Sequence, residues 1–355
     1  MPTPLVTVLI DTYNHERFIE QAIVSVLEQD FPPSEMEILV VDDGSTDGTP
    51  EIVRKFSARV RLLRKENGGQ ASAFNAGIPE ARAPIVAFLD GDDWWARNKL
   101  TLVTEALNAD PSVGIVGNGI IMVQLDGSTE SEVLRDNFRF QANSIAGARL
   151  FRLRKSFLGT SRMTIRRDLL ARIGPVPEIL GVQADEYLFT LAAVLMNAQV
   201  LPDAVTYYRF HDANGFQMST RDPLRLRKKQ IVLDSLAKLL TAEMNRYGID
   251  PRCTQIIAEI LQAEADQLRL MLGGGTAGET FRTEWKIYEV LCPTASIIHR
   301  FFKMLSLAPS LLIPPKTYYE WRVSLVGNSA YRRARELLLP NPPRTHVENA
   351  GSSKV

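Results

Sequence analysis

Residues 85–93 of this 355-residue chain read IVAFLDGDD, five apolar residues followed by three carboxylates within four positions. The apolar run has the length and composition of a buried β-strand. Ligands of open α/β sheets bind beyond the carboxyl ends of the strands. The stretch therefore predicts a buried strand whose three following aspartates lie at a ligand-binding edge.

The same order of strand, polar segment and helix occurs three more times before residue 85. Strands are predicted at Val6 to Ile10, Glu37 to Val41 and Val60 to Leu63. Apolar residues at helical spacing from Phe18 to Leu27 predict a helix after the first of them. Repeated βα units of this length predict an α/β fold, with a mostly parallel sheet flanked by helices.

The acids after the fourth strand suggest a metal site. Asp90 and Asp92 stand on either side of the small residue Gly91, and Asp93 adds a third carboxylate. Such oxygen ligands suit a hard divalent cation such as Mn²⁺ or Mg²⁺. Three like charges at a strand end are costly unless a cation compensates them. The alternative is a solvated turn that caps the next helix, and the buried approach strand favours the metal site.

A second acidic segment, residues 42–45 (DDGS), follows the second strand. A carboxylate here can accept a hydrogen bond from the imide N–H of uracil or from the amide edge of guanine. The segment from Asp43 onward also imitates the opening of a calcium-binding EF-hand loop. Arg54 stands where that loop requires a glutamate, so the EF-hand interpretation is excluded.

Four motifs together resemble those of family 2 glycosyltransferases, in the order and at the approximate spacing of that family. They are Thr12-Tyr13-Asn14, the segment Val41 to Asp47, the segment Asn67 to Gly77, and the segment Phe88 to Asp93. The resemblance is clear over residues 5 to 100 and continues to about residue 215. It implies a GT-A type, Rossmann-like fold and an inverting transfer from a nucleotide-diphosphate sugar. It further implies a glycan or lipid-linked acceptor, as in the synthesis of cell-envelope polysaccharides.

The resemblance also implies which residues bind the donor. Asp42 would read the nucleobase, with Tyr13 beside the ring and Thr12 near the same pocket. Asn67 and Gln70 would lie along the sugar-nucleotide cleft. A UDP-sugar is the favoured donor because a carboxylate matches the uracil imide, although guanine or thymine would satisfy the same group.

By the same resemblance, Asp90 and Gly91 would contact the ribose or the metal region, and Asp92 would bind Mn²⁺ or Mg²⁺. The ion would bridge the two phosphates of the donor and neutralise the charge that develops on the departing nucleoside diphosphate. His211 follows a late strand and would complete the metal shell or contact the diphosphate. A purely structural role is the alternative for this histidine.

An inverting transfer needs a general base on the acceptor hydroxyl. The resemblance assigns this role to Asp185, at the start of a predicted helix, and leaves Glu186 as a competing candidate. Ala184 replaces the glutamate that the family has at that position. Acids in the first turn of a helix are also favoured by the helix dipole alone.

Three other residues near the predicted site have two interpretations each. Many family members have proline where this chain has Asp11, which either contacts the ligand or caps a loop. Trp94 and Trp95 directly follow the acids and form either an acceptor or sugar platform or anchors of the core.

The alternation of strands and helices fades after residue 110, and the pattern is helical from Pro223 onward. We expect a catalytic domain over 1–220, a helical region over 221–340 and a disordered tail over 341–355. Basic and aromatic residues interleave with short apolar runs between residues 295 and 340. This pattern is typical either of helices that pack on the catalytic domain or of a peripheral contact with an anionic membrane surface.

The amino-acid composition limits the classes of molecule that this protein is expected to bind. Lys plus Arg equals Asp plus Glu at 41 each, so the charge does not indicate nucleic acid. Two distant cysteines suggest neither a disulfide framework nor a zinc site. The chain shows no signal peptide and no apolar run of about 20 residues, so we expect a cytoplasmic location, free or at the inner face of the membrane. A non-catalytic nucleotide-sugar-binding scaffold is the alternative function, and Ala184 is the one feature that favours it.

Overall fold

The computed structural model describes residues 3–211, 222–292 and 295–326, with the side chains of 323–326 left aside. These residues form two compact units. The first contains the described residues up to 211 together with Ala242–Thr254, and the second contains 222–241 and the remaining helical residues. The predicted boundary near residue 220 stays a prediction, because the two units interleave along the helical part of the chain.

The first unit is built on one mixed sheet, which has ten strands within the described residues. The strands are β1 (Val6–Thr12), β2 (Met36–Asp42), β3 (Val60–Arg64), β4 (Ile85–Asp90), β5 (Trp94–Trp95), β6 (Val113–Val123), β7 (Thr129–Glu132), β8 (Phe138–Phe140), β9 (Thr164–Arg166) and β10 (Asn197–Arg209). Their order is β3-β2-β1-β4-β9-β6-β10-β5, with β7 paired to β6 and β8 paired to β10. The pairs among β1 to β4, and the pair of β6 with β10, are parallel. The predicted mostly parallel α/β sheet is confirmed.

Helices cover both faces of this sheet. In the first unit they are α1 (Ile19–Leu27), α2 (Thr49–Arg54), α3 (Gln70–Gly77), α4 (Lys99–Ala109), α5 (Ile145–Arg154), α6 (Arg167–Ile173) and α7 (Ala184–Leu195). Val8 and Ile10 of β1 share a buried cluster with residues of α1 and α4. Leu9 points to the other face, where its side chain would meet any Cβ added at Gly77 of α3. The alternation of side chains along a strand thus buries both faces of β1.

The register of the parallel strands brings the predicted polar segments together. Thr12 pairs with Asp42 on one side of β1, and Asp11 pairs with Asp90 on the other. These residues end three adjacent strands at the same edge of the sheet. Strand β1 runs on through Thr12, two residues beyond the predicted strand, because its pairing with β2 continues to Thr12 and its pairing with β4 to Asp11.

The start of α2 is held by a side chain outside the helix. Gly48 is the N-cap and Thr49 is the first helical residue. The carboxylate of Asp47 accepts a hydrogen bond from the backbone N–H of Thr49 at 3.0 Å. A side chain one residue outside the cap therefore satisfies a donor of the first turn.

Short strands account for the antiparallel part of the sheet. β9 lies between β4 and β6 and is antiparallel to both, and β5 is antiparallel to β10. With three and two residues, β9 and β5 are too short to show a period in the sequence.

The second unit is helical. Its elements are α8 (Pro223–Arg246) and α9 (Pro251–Met271), each of which also contributes residues to the first unit, and α10 (Ala277–Leu291), α11 (Ile297–Leu307) and α12 (Pro315–Val326). A capping box between Thr276 and Glu279 begins α10. Tyr318 and Tyr319 of α12 pack with Leu270 of α9 in a small apolar core. Within the described residues, none of the helices is long and apolar enough to cross a bilayer.

Candidate active site

The acids at the end of β4 form the centre of the candidate site. One carboxylate oxygen from each of Asp90, Asp92 and Asp93 lies within 4.8 Å of the others, the arrangement that a single cation requires. Only glycine fits at position 91, because an added Cβ would lie 2.7 Å from Oγ1 of Thr12 and 2.9 Å from Nδ1 of His15. Gly91 therefore lets the acidic segment lie against the end of β1.

The pKa of Asp90 is strongly perturbed by its surroundings. Burial, followed by the charges of Asp11, Asp92, Asp93 and Asp185, raises it well above the usual range. Oδ1 of Asp90 accepts a hydrogen bond from Nε2 of Gln70 at 3.2 Å. The positive charge of Arg209 acts on Asp92 and Asp93, so the protein compensates part of the negative charge of the cluster.

Asp11 adds a further acid beside Asp90 across the β1–β4 pair. Burial and the charge of Asp92 raise the pKa of Asp11 to about 7. Its Oδ1 atom is buried and has no hydrogen-bond partner in the described structure. The loop-capping interpretation of Asp11 is therefore wrong, since the carboxyl group lies in a strand and points into the acidic cluster.

Two histidines face Asp92. Nε2 of His211 lies 2.8 Å from Oδ2 of Asp92, and Nε2 of His15 lies 3.8 Å from the same oxygen. Burial raises the pKa of Asp92, but the hydrogen bond from His211 and the nearby imidazoles outweigh it, and the pKa is lowered. The structure thus brings His211 beside Asp92, and its role at the site stays a prediction. It also adds His15, whose pKa burial lowers.

Asp93 is held inside the protein. Its Oδ2 accepts a hydrogen bond from Oγ of Ser161 at 2.6 Å, and its Oδ1 accepts one from the backbone N–H of Arg209 at 3.0 Å. Ser161 Oγ also accepts a hydrogen bond from the backbone N–H of Asp90 at 3.1 Å. Asp93 therefore ties the acidic segment to the β9 region and to β10, and Asp92 is the more available ligand.

The acids at the end of β2 have partners from the chain itself. Oδ1 of Asp42 accepts a hydrogen bond from the N–H of Ser45 at 2.9 Å, and its Oδ2 lies 3.1 Å from Nε of Arg64. Asp43 accepts hydrogen bonds from the N–H groups of Gly68 and Gly69 and pairs with Nζ of Lys65 at 2.7 Å. Asp42 is fully buried, so a nucleobase would have to share its Oδ2 with Arg64.

The other predicted donor-site residues lie along the same edge. Thr12 is buried with its hydroxyl 3.2 Å from Nδ1 of His15, whereas Tyr13 is 44% exposed. Nδ2 of Asn67 donates to the carbonyl of Asp43 at 3.0 Å. Gln70 begins α3, where Nε2 donates to Asp90 and, at 3.1 Å, to Oγ1 of Thr160.

Asp185 and Glu186 begin α7 but differ in their partners. Asp185 Oδ2 accepts a hydrogen bond from the N–H of Thr160 at 3.2 Å. Thr160 in turn contacts Gln70, which contacts Asp90, so three hydrogen bonds connect Asp185 to Asp90. Burial and the charge of Glu186 raise the pKa of Asp185 to about 6. Glu186 instead forms an ion pair with Lys155.

The two tryptophans after the acids have different surroundings. Trp95 is a core anchor, since it is buried and its Nε1 donates to the carbonyl of Ser161 at 2.8 Å. Trp94 is half-buried and stacks on Tyr207 with ring centroids 5.0 Å apart. The guanidinium of Arg209 lies 4.4 Å from the Trp94 ring and 4.9 Å from the ring of Phe18. The ring of Trp94 therefore contacts Tyr207 and Arg209, whereas Trp95 belongs to the core.

Sequence reasoning missed Lys99, which lies beneath the site. It is fully buried, and its Nζ donates to Oδ1 of Asn118 and, at 3.0 Å, to the carbonyl of Arg162. Burial and the charge of Arg162 lower the pKa of Lys99 well below its usual range. It supports the segment that carries Ser161 rather than the acids themselves.

Comparison with known proteins gives consistent results. Residues 7–174 match the model of glycosyl transferase family 2. An uncharacterised glycosyltransferase of Nostoc sp., alr2836, is 31% identical over 222 residues, covering 59% of this chain and 66% of its own length. The poly(ribitol-phosphate) β-N-acetylglucosaminyltransferase TarS of Staphylococcus aureus is 32% identical over 212 residues, covering 57% of this chain and 35% of its own.

Solved structures share the fold. The mannosyltransferase PcManGT of Pyrobaculum calidifontis, in complex with GDP-Man and Mn²⁺, has a TM-score of 0.54 at 22% identity and covers 95% of this chain and 85% of its own. TarS residues 1–349 in complex with UDP has a TM-score of 0.53 at 19% identity, covering 89% and 91%. The GT-A architecture expected from the sequence is therefore confirmed.

The matched segments span 66%, 57% and 37% of the first three curated relatives, so the likeness does not extend over their whole lengths. Within this chain, however, the family match includes all four strand-end segments that form the edge described above. This segment, residues 7–174, therefore resembles glycosyl transferase family 2.

Proposed function

We propose that this protein transfers a sugar from a nucleotide-diphosphate sugar to an acceptor hydroxyl, with inversion at the anomeric carbon. The observation that carries the proposal is the link between the acidic cluster and Asp185. Gln70 contacts both Asp90 and Thr160, and Thr160 holds Asp185. A donor site and a buried carboxylate that can act as a base thus share one small region.

The residues at the end of β4 fit a divalent metal ion. Their donor set is made of carboxylate oxygens, which Mn²⁺ and Mg²⁺ prefer, and an imidazole from His211 is within reach of Asp92. Burial and four neighbouring acids raise the pKa of Asp90, and a cation would compensate this concentration of negative charge. Asp92 and His211 would hold the ion, which would supply Lewis-acid stabilisation of the departing nucleoside diphosphate.

The base is Asp185 rather than Glu186 in this proposal. A pKa near 6 lets a carboxylate be ionised at neutral pH and still accept a proton efficiently. Asp185 takes the proton of the acceptor hydroxyl while the oxygen attacks the anomeric carbon from the face opposite the diphosphate. Glu186 is held by Lys155 and keeps the first turn of α7 in place.

The nucleotide lies against the ends of β1 and β2. Tyr13 offers an exposed ring for the base to stack on, and Asp42 accepts a hydrogen bond from the base edge next to Arg64. Asn67 orders the turn beside the diphosphate path through the carbonyl of Asp43. UDP is the favoured nucleotide. The structure of TarS contains UDP and that of PcManGT contains GDP-Man, so donors with either base are to be tested.

The test is release of nucleoside diphosphate from UDP-, GDP- and dTDP-sugars with Mn²⁺, in the presence of glycan and lipid-linked-sugar acceptors. We expect one donor to be consumed by the wild type, and NMR of the product to show the anomeric configuration opposite to that of the donor. Asp185→Asn should bind the same nucleotide without turnover. Retained configuration would contradict the proposed mechanism. Binding without turnover by the wild type across the acceptor panel would favour the scaffold function.

A further inference from the structure

Whereas an ordinary surface helix buries its apolar side, helix α11 exposes that side to solvent. Its large apolar side chains face solvent: Ile297, Ile298, Phe301, Phe302, Met304 and Leu305. Ile297 is 86% exposed, whereas Leu307 is the one residue of the helix that is buried. At 100° per residue, the six exposed side chains occupy a continuous arc of about 160° on one side of the helix.

The polar side of α11 is the packed side. His299, Arg300 and Lys303 are half-buried and lie on the same side as Leu307. Nζ of Lys303 lies 5.5 Å from the centroid of the Tyr288 ring of α10, and Arg300 pairs with Glu289 of α10 at 3.4 Å. Contacts from α10 therefore fix which side of α11 points outward. The exposed arc follows from folding of the helical unit itself.

Apolar exposure continues directly after the helix. Leu311 and Leu312 are 49% and 88% exposed in the turn that follows, and Trp321 of α12 is also exposed. Ser296 caps α11, and its hydroxyl accepts a hydrogen bond from the N–H of His299, so the helix has a defined start. A folded protein rarely leaves so many large apolar side chains in contact with water unless they bind something.

The charge of the segment selects the partner. Residues 295–322 contain four lysine and arginine side chains and a single carboxylate, Glu320, whereas the chain as a whole is neutral. Glu289 and Glu284 of α10 pair with Arg300 and Arg322, so two of these four positive charges are already compensated. A wide apolar arc with bulky aliphatic and aromatic side chains, in a locally cationic segment, fits the boundary between headgroups and acyl chains of an anionic bilayer. Because no described helix is long enough to cross a membrane, the contact would be with one leaflet.

We propose that the exposed face of α11, defined as Ile297, Ile298, Phe301, Phe302, Met304 and Leu305, inserts into the surface of an anionic lipid bilayer. Binding uses the apolar side chains for insertion and the local positive charge for attraction to the lipid headgroups. The inference does not depend on sugar transfer, since it concerns a different unit of the chain. It would hold for a scaffold as well as for an enzyme.

The test is flotation of the full chain with vesicles of phosphatidylcholine alone and of phosphatidylcholine with phosphatidylglycerol. We expect the wild type to float with the anionic vesicles and at least five times less with the neutral ones. The triple variant Ile297→Ser/Phe301→Ser/Leu305→Ser should lose at least tenfold in the bound fraction. Its side chains are already exposed, so the fold should be retained, and circular dichroism checks this.

A matched control uses three apolar residues that are exposed elsewhere, in the variant Leu125→Ser/Ile179→Ser/Leu224→Ser. This control should float like the wild type. Equal flotation of the two triple variants, or no flotation of the wild type, overturns the proposal. Sedimentation velocity without lipid tests whether the exposed face of α11 binds a second copy of the chain instead of a membrane. A dimer that the α11 variant abolishes, together with absent flotation, would replace the membrane with a self-association surface.

Discussion

The chain places pairs of adjacent aspartates at the ends of two strands of the same sheet, and the two pairs differ in the residues that surround them. Asp42 and Asp43, after β2, receive backbone N–H groups and the cations of Arg64 and Lys65. Asp92 and Asp93, after β4, have Arg209 and two histidines nearby but lie among three further acids.

The difference shows what each pair does. The first pair is neutralised by the protein, and it holds the turn around Gly44 and the start of α3 in position. Gly44 has a φ of +80°, and an added Cβ would lie 2.7 Å from the backbone N of Asn67, so only glycine allows this close approach. The second pair lies among Asp11, Asp90 and Asp185, and this concentration of carboxylates is the physical argument for a bound cation.

The largest effect is expected for Asp92→Asn. Removal of the most available carboxylate should lower the rate of sugar transfer by about 10²–10³-fold or more, because charge on the leaving group is no longer stabilised. The rate is measured by nucleoside diphosphate release at saturating Mn²⁺. Asp126→Asn, in an exposed turn of the first unit, is the control and should retain the wild-type rate.

The second prediction separates the two acids of α7. Asp185→Asn should lower kcat by about 10²–10⁴-fold and leave donor binding unchanged, because only proton transfer is lost. Glu186→Gln should change kcat by less than about tenfold, since it removes a partner of Lys155 rather than the base. Steady-state kinetics and nucleotide titration measure the two effects. A larger loss of kcat in Glu186→Gln than in Asp185→Asn would reverse the assignment.

The third prediction concerns the neutralised pair. Asp43→Ala should lower the free energy of unfolding by about 2–4 kcal/mol, because Lys65 and two backbone N–H groups lose their acceptor. Urea unfolding measures the loss, with Asp126→Asn again as the control. Addition of Mn²⁺ should not restore the loss. Recovery of stability with metal would mean that Asp43 belongs to the cation site.

These expectations rest on residues that could largely be read from the sequence. The strands β1 to β4 were predicted within about two residues, because each has a mostly apolar run that ends in polar residues. Asp92 and Asp185 were identified from the family motifs, and the structure brings both to one region. Their roles stay predictions, as do those of Thr12, Tyr13, Asp42 and His211.

Other parts of the site could not be predicted because they depend on distant contacts. Ser161 is 68 residues from Asp93 in sequence, and β9, the short strand just after Ser161, has no periodic pattern. Arg209 reaches Asp93 through its backbone N–H, which carries no signal in the side chain. His15 had one available signal, since it lies three residues after β1 in a segment already placed at the ligand edge.

The smallest effect is a pH dependence of stability without metal. The pKa of Asp11 is raised to about 7 in the folded protein, above its value in the unfolded chain. The folded state therefore binds more protons, and the stability that Asp11 contributes is present below about pH 4 and lost as the pH rises through 7. Asp11→Asn should match the wild type in stability near pH 4 and exceed it near pH 8, because the variant has no carboxylate to ionise. Urea unfolding at both pH values measures this, and equal stability at pH 8 would contradict the raised pKa.

The most direct test of the acidic cluster at the end of β4 is calorimetric titration of UDP, GDP and dTDP into the wild type and Asp92→Asn, with and without Mn²⁺. The account predicts that one diphosphate binds the wild type only when Mn²⁺ is present, and that Asp92→Asn weakens this binding by about 100-fold or more. Binding of equal strength with and without Mn²⁺, or no loss in Asp92→Asn, would contradict the assignment of the acids after β4 to a metal-dependent donor site.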